Sequence, residues 1–277
     1  MALMTEIRAQ HELRPYKKIR GKILQTNTTK AKLKAGETVL GCFIRYPSPG
    51  ITEFVAWQGW DFLVFDAEHG TISPDQCESM VRAAELRGVT PLARATTNQA
   101  HTILRFMDVG VQGVVVPRVD TAADAEVVLQ SVKYQPRGMR GLAGVRAADY
   151  GQTMSFGEYI RKANEESLVI VQIETEQAVD QIEDYLTVPD IDVIFIGPTD
   201  LSNSLGFPGQ KDHPKVQAAV NKVIDAVTKT DIALGIFVGN APAALEWKAR
   251  GARFIAIGLE GLLKPACRDY LQAVREE

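Results

Sequence analysis

Eight short apolar runs rich in β-branched residues recur along the chain with helical patterns between them, and no other feature restricts the fold as much. The runs fall at 39–45, 62–66, 90–95, 113–117, 168–174, 192–196, 233–238 and 254–258. Most are unbroken rather than alternating, as expected of strands covered on both faces. Helical patterns occupy 51–59, 74–87, 98–109, 121–133, 156–164, 176–185, 214–230, 242–250 and 262–275. Ser73 ahead of Pro74, and Thr121, supply N-caps, while Gly88, Gly110 and Gly251 stop helices just before the next strand. In a chain of 277 residues this alternation predicts an α/β protein with a single (β/α)8 barrel over residues 37–277. A doubly wound open sheet is the competing arrangement, disfavoured because no GxGxxG follows the first run.

Composition excludes several classes. A hydrophobic content of 45% is enough for one large core. The net charge of −3 gives no bulk positive field for nucleic acid, but its distribution is uneven. Residues 1–36 hold nine Lys or Arg against Glu6 and Glu12, a balance of +7 that leaves −10 on the rest. This stretch reads as a basic N-terminal extension, with a short helix around Thr29 to Lys34. It lacks the aromatic interleaving of a nucleic-acid arm and the amphipathic stripe of a membrane anchor, so a solvated or subunit-packing role is expected. Cys42, Cys77 and Cys267 are scattered without CxxC spacing, which points to neither a disulfide framework nor a thiolate zinc site and fits a cytoplasmic protein. No signal peptide and no run of about 18 apolar residues is found.

In a barrel of this kind, chemistry gathers at the C-terminal strand ends. The second strand ends in Asp66-Ala67-Glu68-His69-Gly70, the third carries Arg94, the fourth is followed by Pro117-Arg118, the fifth closes in Glu174, and the sixth leads into Gly197-Pro198-Thr199-Asp200. Glu174 and Asp200, leaving adjacent strands, would repel each other without an intervening cation or proton. Oxygen ligation suits a hard divalent ion, Mg²⁺ or Mn²⁺ before Co²⁺ or Zn²⁺. The plainer alternatives are a structural ion pair for Glu174 and a helix N-cap for Asp200. His69, with an orienting carboxylate in Asp66 or Glu68, has the make-up of a general base, although a lone rim histidine is also common. Arg94, inside an apolar strand, should reach an anion at the rim. Asp108, at a helix end, is by itself no more than an exposed acid. The Gly-rich basic stretch from Arg137 to Arg146, within the long interruption 134–157, reads either as a rim loop touching an anionic substrate or as an ordered turn. No Lys falls in any of the eight runs, so a Schiff-base aldolase is disfavoured and carbanion chemistry would require a metal.

Asp66-Ala67-Glu68-His69, Val171-Gln172-Ile173-Glu174-Thr175 and Phe195-Ile196-Gly197-Pro198-Thr199-Asp200-Leu201-Ser202 resemble the signatures of the HpcH/HpaI aldolase family, as does Leu205-Gly206-Phe207-Pro208-Gly209 followed by His213-Pro214. The resemblance runs from about Thr29 to about Lys264. It implies a class II pyruvate aldolase of the phosphoenolpyruvate/pyruvate barrel superfamily, which cleaves a 4-hydroxy-2-oxo acid reversibly to pyruvate and an aldehyde. It further implies Glu174 and Asp200 as metal ligands with Gln172 beside them, and His69 as the base held by Asp66. Arg94 would sit on the pyruvyl keto oxygen, and Asp108 would be a further positioning acid. Pro198, Thr199 and Asp200 would lie against the pyruvyl group, its carboxylate taken by the backbone N–H groups of Thr199 and Asp200. The expected assembly is a homohexamer with exchanged C-terminal helices around Leu262 to Arg275, acting on a small 2-oxo acid with neither nucleic acid nor membrane as partner. An acyl-CoA lyase or an oxaloacetate decarboxylase using the same enolate, and a silent barrel serving as a scaffold, are the alternatives. Two departures stand out: Phe43 where relatives often carry Trp, and a longer N-terminal extension.

Overall fold

A computed structural model describes residues 26–275. Eight parallel strands close in sequence order: β1 (Val39–Ile44), β2 (Phe62–Asp66), β3 (Thr90–Arg94), β4 (Gly113–Val116), β5 (Leu168–Ile173), β6 (Val193–Ile196), β7 (Ala233–Val238) and β8 (Ala252–Gly258). The barrel and all eight strands are those expected from the apolar runs. No helix of the described residues is long and apolar enough to cross a membrane.

Strand periodicity divides the core in two. Residues of one parity, including Val39, Phe43, Phe62, Val64, Leu92, Val115, Ile170, Phe195 and Phe254, fill the barrel lumen. The other parity, with Cys42, Leu63, Phe65, Val114, Val171 and Ile194, packs outward under the helices. Phe62 and Phe254 stack across the lumen with centroids 4.0 Å apart. Gly41 makes room for them: a Cβ there would lie 2.1 Å from the Phe62 ring.

The first described helix, α1 (Thr28–Lys34), closes the N-terminal end of the barrel. Asn27 donates to the Gln112 and Glu166 carbonyls, and Thr29 Oγ donates to the Asp61 carbonyl. Lys30 Nζ reaches the Ser167 carbonyl at 2.7 Å and Asp192 at 2.9 Å. Leu33 enters the lumen core. Residues 27–34 are thus part of the barrel's packing rather than of a separate extension. Lys30 and Lys32 both hold acid partners, Asp192 and Asp61. The rest of the basic arm, residues 1–25, lies outside the described residues.

Helices α2 (Pro49–Ala56), α3 (Pro74–Glu85), α4 (Ala100–Asp108) and α5 (Ala122–Val132) follow the first four strands. Ser73 and Thr121 form reciprocal capping boxes at α3 and α5. A 3-10 turn (Arg146–Gly151) and α6 (Phe156–Glu166) lead into β5. The pattern at 176–185 is broken at Gln181 into α7 (Glu176–Asp180) and α8 (Ile182–Tyr185). A short helix not read from the sequence, α9 (Pro198–Ser204), follows β6, with Pro198 at its first position. Then come α10 (Pro214–Val227), α11 (Ala241–Ala249) and α12 (Leu259–Arg275).

Chain direction settles where the loops lie. In a parallel barrel, connections from strand to helix sit at one end and connections from helix to strand at the other. Residues 134–157 join α5 to α6 and β5, which puts them at the N-terminal end, away from the rim of Asp66 and Glu174. The basic residues of this segment are spoken for: Arg137 pairs with Glu126 and Asp190, Arg140 with Asp108, and Arg146 with Glu85. The expectation of a rim loop is therefore corrected; this is an ordered connection held by ion pairs.

Candidate active site

The lumen parity carries the functional side chains. Asp66 continues Phe62 and Val64, Arg94 continues Leu92, and Gln172 continues Ile170, so all three leave their strands facing the barrel axis. Asp66 is fully buried and Arg94 is 9% exposed. Arg94 grips Asp66 with two hydrogen bonds, Nε to Oδ1 at 2.9 Å and Nη2 to Oδ2 at 2.6 Å. Its Nη1 lies 3.0 Å from Glu68 Oε2. The guanidinium stands 5.3 Å above the Phe43 ring.

Asp66 does not hold the His69 imidazole, as the resemblance implied; it accepts the backbone N–H of His69 at 3.2 Å. The turn after β2 brings that amide onto the carboxylate, and Gly70 allows it, because a Cβ there would lie 2.3 Å from the Asp66 carbonyl and 2.7 Å from that of Arg45. The His69 side chain is 53% exposed, with Nε2 4.0 Å from Glu68 Oε2. Burial raises the Asp66 carboxyl, but Arg94's hydrogen bonds and charge, joined by the His69 amide, hold it below its ordinary value. Glu68 is shifted the other way: burial and the charges of Asp66 and Asp200 outweigh Arg94 and His69.

Glu174, just beyond β5, is buried and forms no ion pair with any described residue. Its Oε1 accepts the Arg118 backbone N–H at 2.8 Å, and its Oε2 accepts Gln172 Nε2 at 2.7 Å. Arg118 is left-handed, with φ 52°, a conformation costly for a non-glycine residue that aims its amide at Glu174. Burial, with Glu68 and Asp200 nearby, pushes the Glu174 carboxyl above its ordinary value despite that amide. Asp200 is exposed in the first turn of α9, whose N-cap is Gly197, so the N-cap reading of Asp200 does not hold.

Two cavities meet over these groups. One, of about 230 Å³, is lined by Glu68, His69, Arg118, Glu174, Asp200 and Ser204. The other, of about 240 Å³, is lined by Phe43, Arg45, Arg94, Gln172, Thr199 and Lys211 among others. His69 and Asp200 border both. A larger cavity of about 460 Å³ lies at the opposite end, beside Gln112, Arg140, Arg146 and Ser167. Its arginines already have acid partners, so size does not make it the reactive site.

The residues read from the sequence thus converge on one rim, except Asp108. It ends α4, and a helix that returns to start the next strand finishes at the N-terminal end. There Asp108 pairs with Arg140 at 2.8 Å, so in this chain it does not touch the cluster. Arg45 and Lys211, which line the second cavity, were not singled out. Arg45 was hidden as the last residue of an apolar run, although its parity with Val39, Gly41 and Phe43 marks it as axis-facing.

Three carboxylates around one small cavity raise the question of a cation. Asp200 disfavours the charged form of Glu68, Glu68 and Asp200 disfavour that of Glu174, and the buried Gln172 Oε1 has no hydrogen-bond partner among the described residues. An all-oxygen donor set with an orphaned amide oxygen fits a hard divalent ion. Among the described residues no three His, Cys, Asp or Glu groups converge tightly enough to cage an ion on their own. Glu174 and Asp200 would then provide only part of a coordination shell.

Comparison with known proteins agrees with this geometry. Residues 39–264 match the family model described as HpcH/HpaI aldolase/citrate lyase. A hydroxypyruvate/pyruvate aldolase of Sagittula stellata is 34% identical over 241 residues, covering 87% of this chain and 94% of that protein. A 4-hydroxy-2-oxo-heptane-1,7-dioate aldolase of Escherichia coli is 33% identical over 247 residues, 89% of this chain and 94% of that one. The crystal structure of a family protein from Burkholderia cenocepacia superposes with a TM-score of 0.86 at 32% identity, covering 90% of this chain and all of that one. From β1 to the start of α12, the chain belongs to the HpcH/HpaI aldolase/citrate lyase family.

Proposed function

We propose that this protein is a metal-dependent aldolase that cleaves a 4-hydroxy-2-oxo acid to pyruvate and an aldehyde, and joins them in reverse. The observation that carries the reading is the placement of the Arg94–Asp66 pair beside the Glu174 and Asp200 carboxylates on one rim, in a chain of this family. Glu174 and Asp200 would hold the ion, with Gln172 alongside, and Mg²⁺ or Mn²⁺ suits the oxygen donors best. When bound, the ion would supply Lewis acidity toward the oxygens of the 2-oxo acid.

The chain's own groups account for the rest. Arg94, fixed edge-on by Asp66, presents a permanent positive charge where the keto oxygen becomes an enolate oxygen, with no reorganisation needed. Thr199 and Asp200 lie in the first turn of α9, where backbone N–H groups lack intrahelical acceptors, and there they would take the pyruvyl carboxylate beside Pro198. His69 borders both cavities and takes the proton of the 4-hydroxyl. As it leaves, C4 becomes the aldehyde carbonyl, and the C3–C4 electron pair passes to C3 as the enolate. A proton delivered to C3 then completes pyruvate.

A thioester lyase finds less support. The basic segment from Arg137 to Arg146, which could have met the phosphates of a CoA, lies at the far end of the barrel with its guanidinium groups paired. We further propose that two copies exchange α12 within a homohexamer. The support is that every residue from 262 to 275 is exposed, including Leu262, Leu263, Tyr270, Leu271 and Val274, an apolar stripe with nothing packed on it.

The test of the reaction is pyruvate release from a short 4-hydroxy-2-oxo acid, coupled to lactate dehydrogenase, before and after chelation and with Mn²⁺ or Mg²⁺ restored. Activity should vanish with chelator and return with metal. Full activity after chelation would remove the metal, and no pyruvate under any metal would reject the aldolase.

A further inference from the structure

The loop between β4 and α5 holds Glu174 from outside its own strand. Arg118, in the left-handed conformation, gives its backbone N–H to Glu174 Oε1 at 2.8 Å. Two residues on, Asp120 Oδ1 accepts the Thr175 hydroxyl at 2.7 Å. Thr175 follows Glu174 directly and caps α7, its Oγ accepting the Ala178 N–H at 3.2 Å. The loop thus reaches the end of β5 at two points, one on the Glu174 carboxylate and one on the residue next to it. Between these points the carbonyl of the buried Val119 accepts the hydroxyl of Tyr185, itself fully buried, at 2.6 Å, which ties the loop to α8.

Asp120 is not spent on its own helix. Thr121 is the N-cap of α5, and Asp124 closes the capping box. Among the described residues Asp120 forms no ion pair; its hydrogen bond goes to Thr175. It lines neither rim cavity, so whatever it does for the site passes through Thr175. That bond matters because Arg118 is strained: a left-handed residue with a side chain persists only where its surroundings impose it. Gln172 Nε2 holds the other Glu174 oxygen at 2.7 Å. Each oxygen therefore carries one donor and keeps acceptor capacity for the cavity of about 230 Å³ that Glu174 lines.

We propose that Asp120 is a positioning residue for the divalent ion. Through Thr175 it fixes the backbone beside Glu174, and it holds the loop in the shape that aims the Arg118 amide at the carboxylate. The proposal rests on the reading of Glu174 as a metal ligand, and it adds a residue that touches neither ion nor substrate.

The experiment is calorimetric titration of the metal-free protein with Mn²⁺, with thermal unfolding to check that each variant is folded. Asp120→Ala should weaken binding by about tenfold, the low end of what losing an outer partner of a ligand costs. Asp120→Asn should recover most of that loss, because its amide oxygen still accepts the Thr175 hydroxyl. Wild-type affinity in Asp120→Ala, or the same loss in Asp120→Asn, overturns the role. Should Asp120→Ala fail to fold, Arg118→Gly and Arg118→Val decide. Both lose the guanidinium, but only glycine takes the left-handed conformation freely, so the valine variant should bind the more weakly. Equal affinities of that pair overturn the proposal. Failure of the ligand reading looks different: wild type then binds no Mn²⁺, or Glu174→Gln binds it as well as wild type, and the role of Asp120 falls with it.

Discussion

Asp66→Asn tests the pair on which the site is built. The substitution keeps the shape of the side chain and removes the charge that Arg94 grips through two hydrogen bonds of 2.9 and 2.6 Å. Stripping one partner from a buried ion pair typically costs ~3–5 kcal/mol, because the other charge stays buried. Here Arg94 keeps Glu68 at 3.0 Å, so the lower end of that range, ~3 kcal/mol, applies. At ~2–4 °C per kcal/mol for a large domain, Tm should fall by about 6–12 °C at pH 7. The pH dependence has a definite sign. Asp66 is held below the carboxylate value it has when unfolded, so its stabilisation is complete above that unfolded value and is lost as pH falls through the lower, folded one. The Tm gap between wild type and variant should therefore be full at neutral pH and close at acid pH. Scanning calorimetry over a pH series measures both. A gap below ~2 °C at pH 7, or one that persists unchanged in acid, would refute the account of Asp66 as Arg94's anchor.

Other consequences are separable. Glu174→Gln should weaken Mn²⁺ binding, read by calorimetry, by at least ~tenfold, and affinity equal to wild type would remove Glu174 from the ion's ligands. His69→Ala should lower kcat by ~10²–10⁴ while leaving Tm nearly unchanged, since the ring is half exposed, with Nε2 4.0 Å from Glu68 Oε2; unaltered turnover would end its role as base. Leu263→Glu combined with Leu271→Glu places charge on the bare stripe of α12 and should reduce the mass seen by light scattering. An unchanged mass would argue against helix exchange.

The barrel was legible because its signals are local and repeated: unbroken apolar runs of strand length, each ended by a turn. Asp66, Arg94, Gln172 and Glu174 were legible for the same reason, since a polar residue at the end of a run is conspicuous and strand parity then aims it at the axis. Asp200 was found, but its setting was not, although Pro198 followed by a polar turn is an ordinary helix start. The misplacement of 134–157 and the fate of Asp108 have a common origin. Gly and Arg in a long interruption resemble an anion loop, and an acid near a helix end resembles a site acid, but which end of the barrel each occupies depends on whether a strand or a helix precedes it. That order is written in the chain: both stretches come after a helix, and both lie at the N-terminal end. Arg45 was missed for the opposite reason, as a charge at the close of a run otherwise read for its apolar content.

The two ends of the barrel carry comparable charge yet treat it differently, and this separates scaffold from site. At the N-terminal end Lys30, Arg137, Arg140 and Arg146 each hold an acid partner, and α1 adds hydrogen bonds to the carbonyls that precede the strands. Among the described residues Arg140 Nε is a buried polar atom without a hydrogen bond at that end, whereas Arg45 Nε, Glu68 Oε2 and Gln172 Oε1 go without one at the C-terminal rim, where Glu68 and Glu174 are also pushed away from the charged form. Such groups are costly to a fold that gains nothing from them. Each of the three at the rim borders one of the two adjoining cavities, and on the proposed reading a cation beside Glu68, Glu174 and Asp200 would meet the Glu68 and Gln172 oxygens. On the proposed reading these groups face a hard cation and a 2-oxo acid on Arg94.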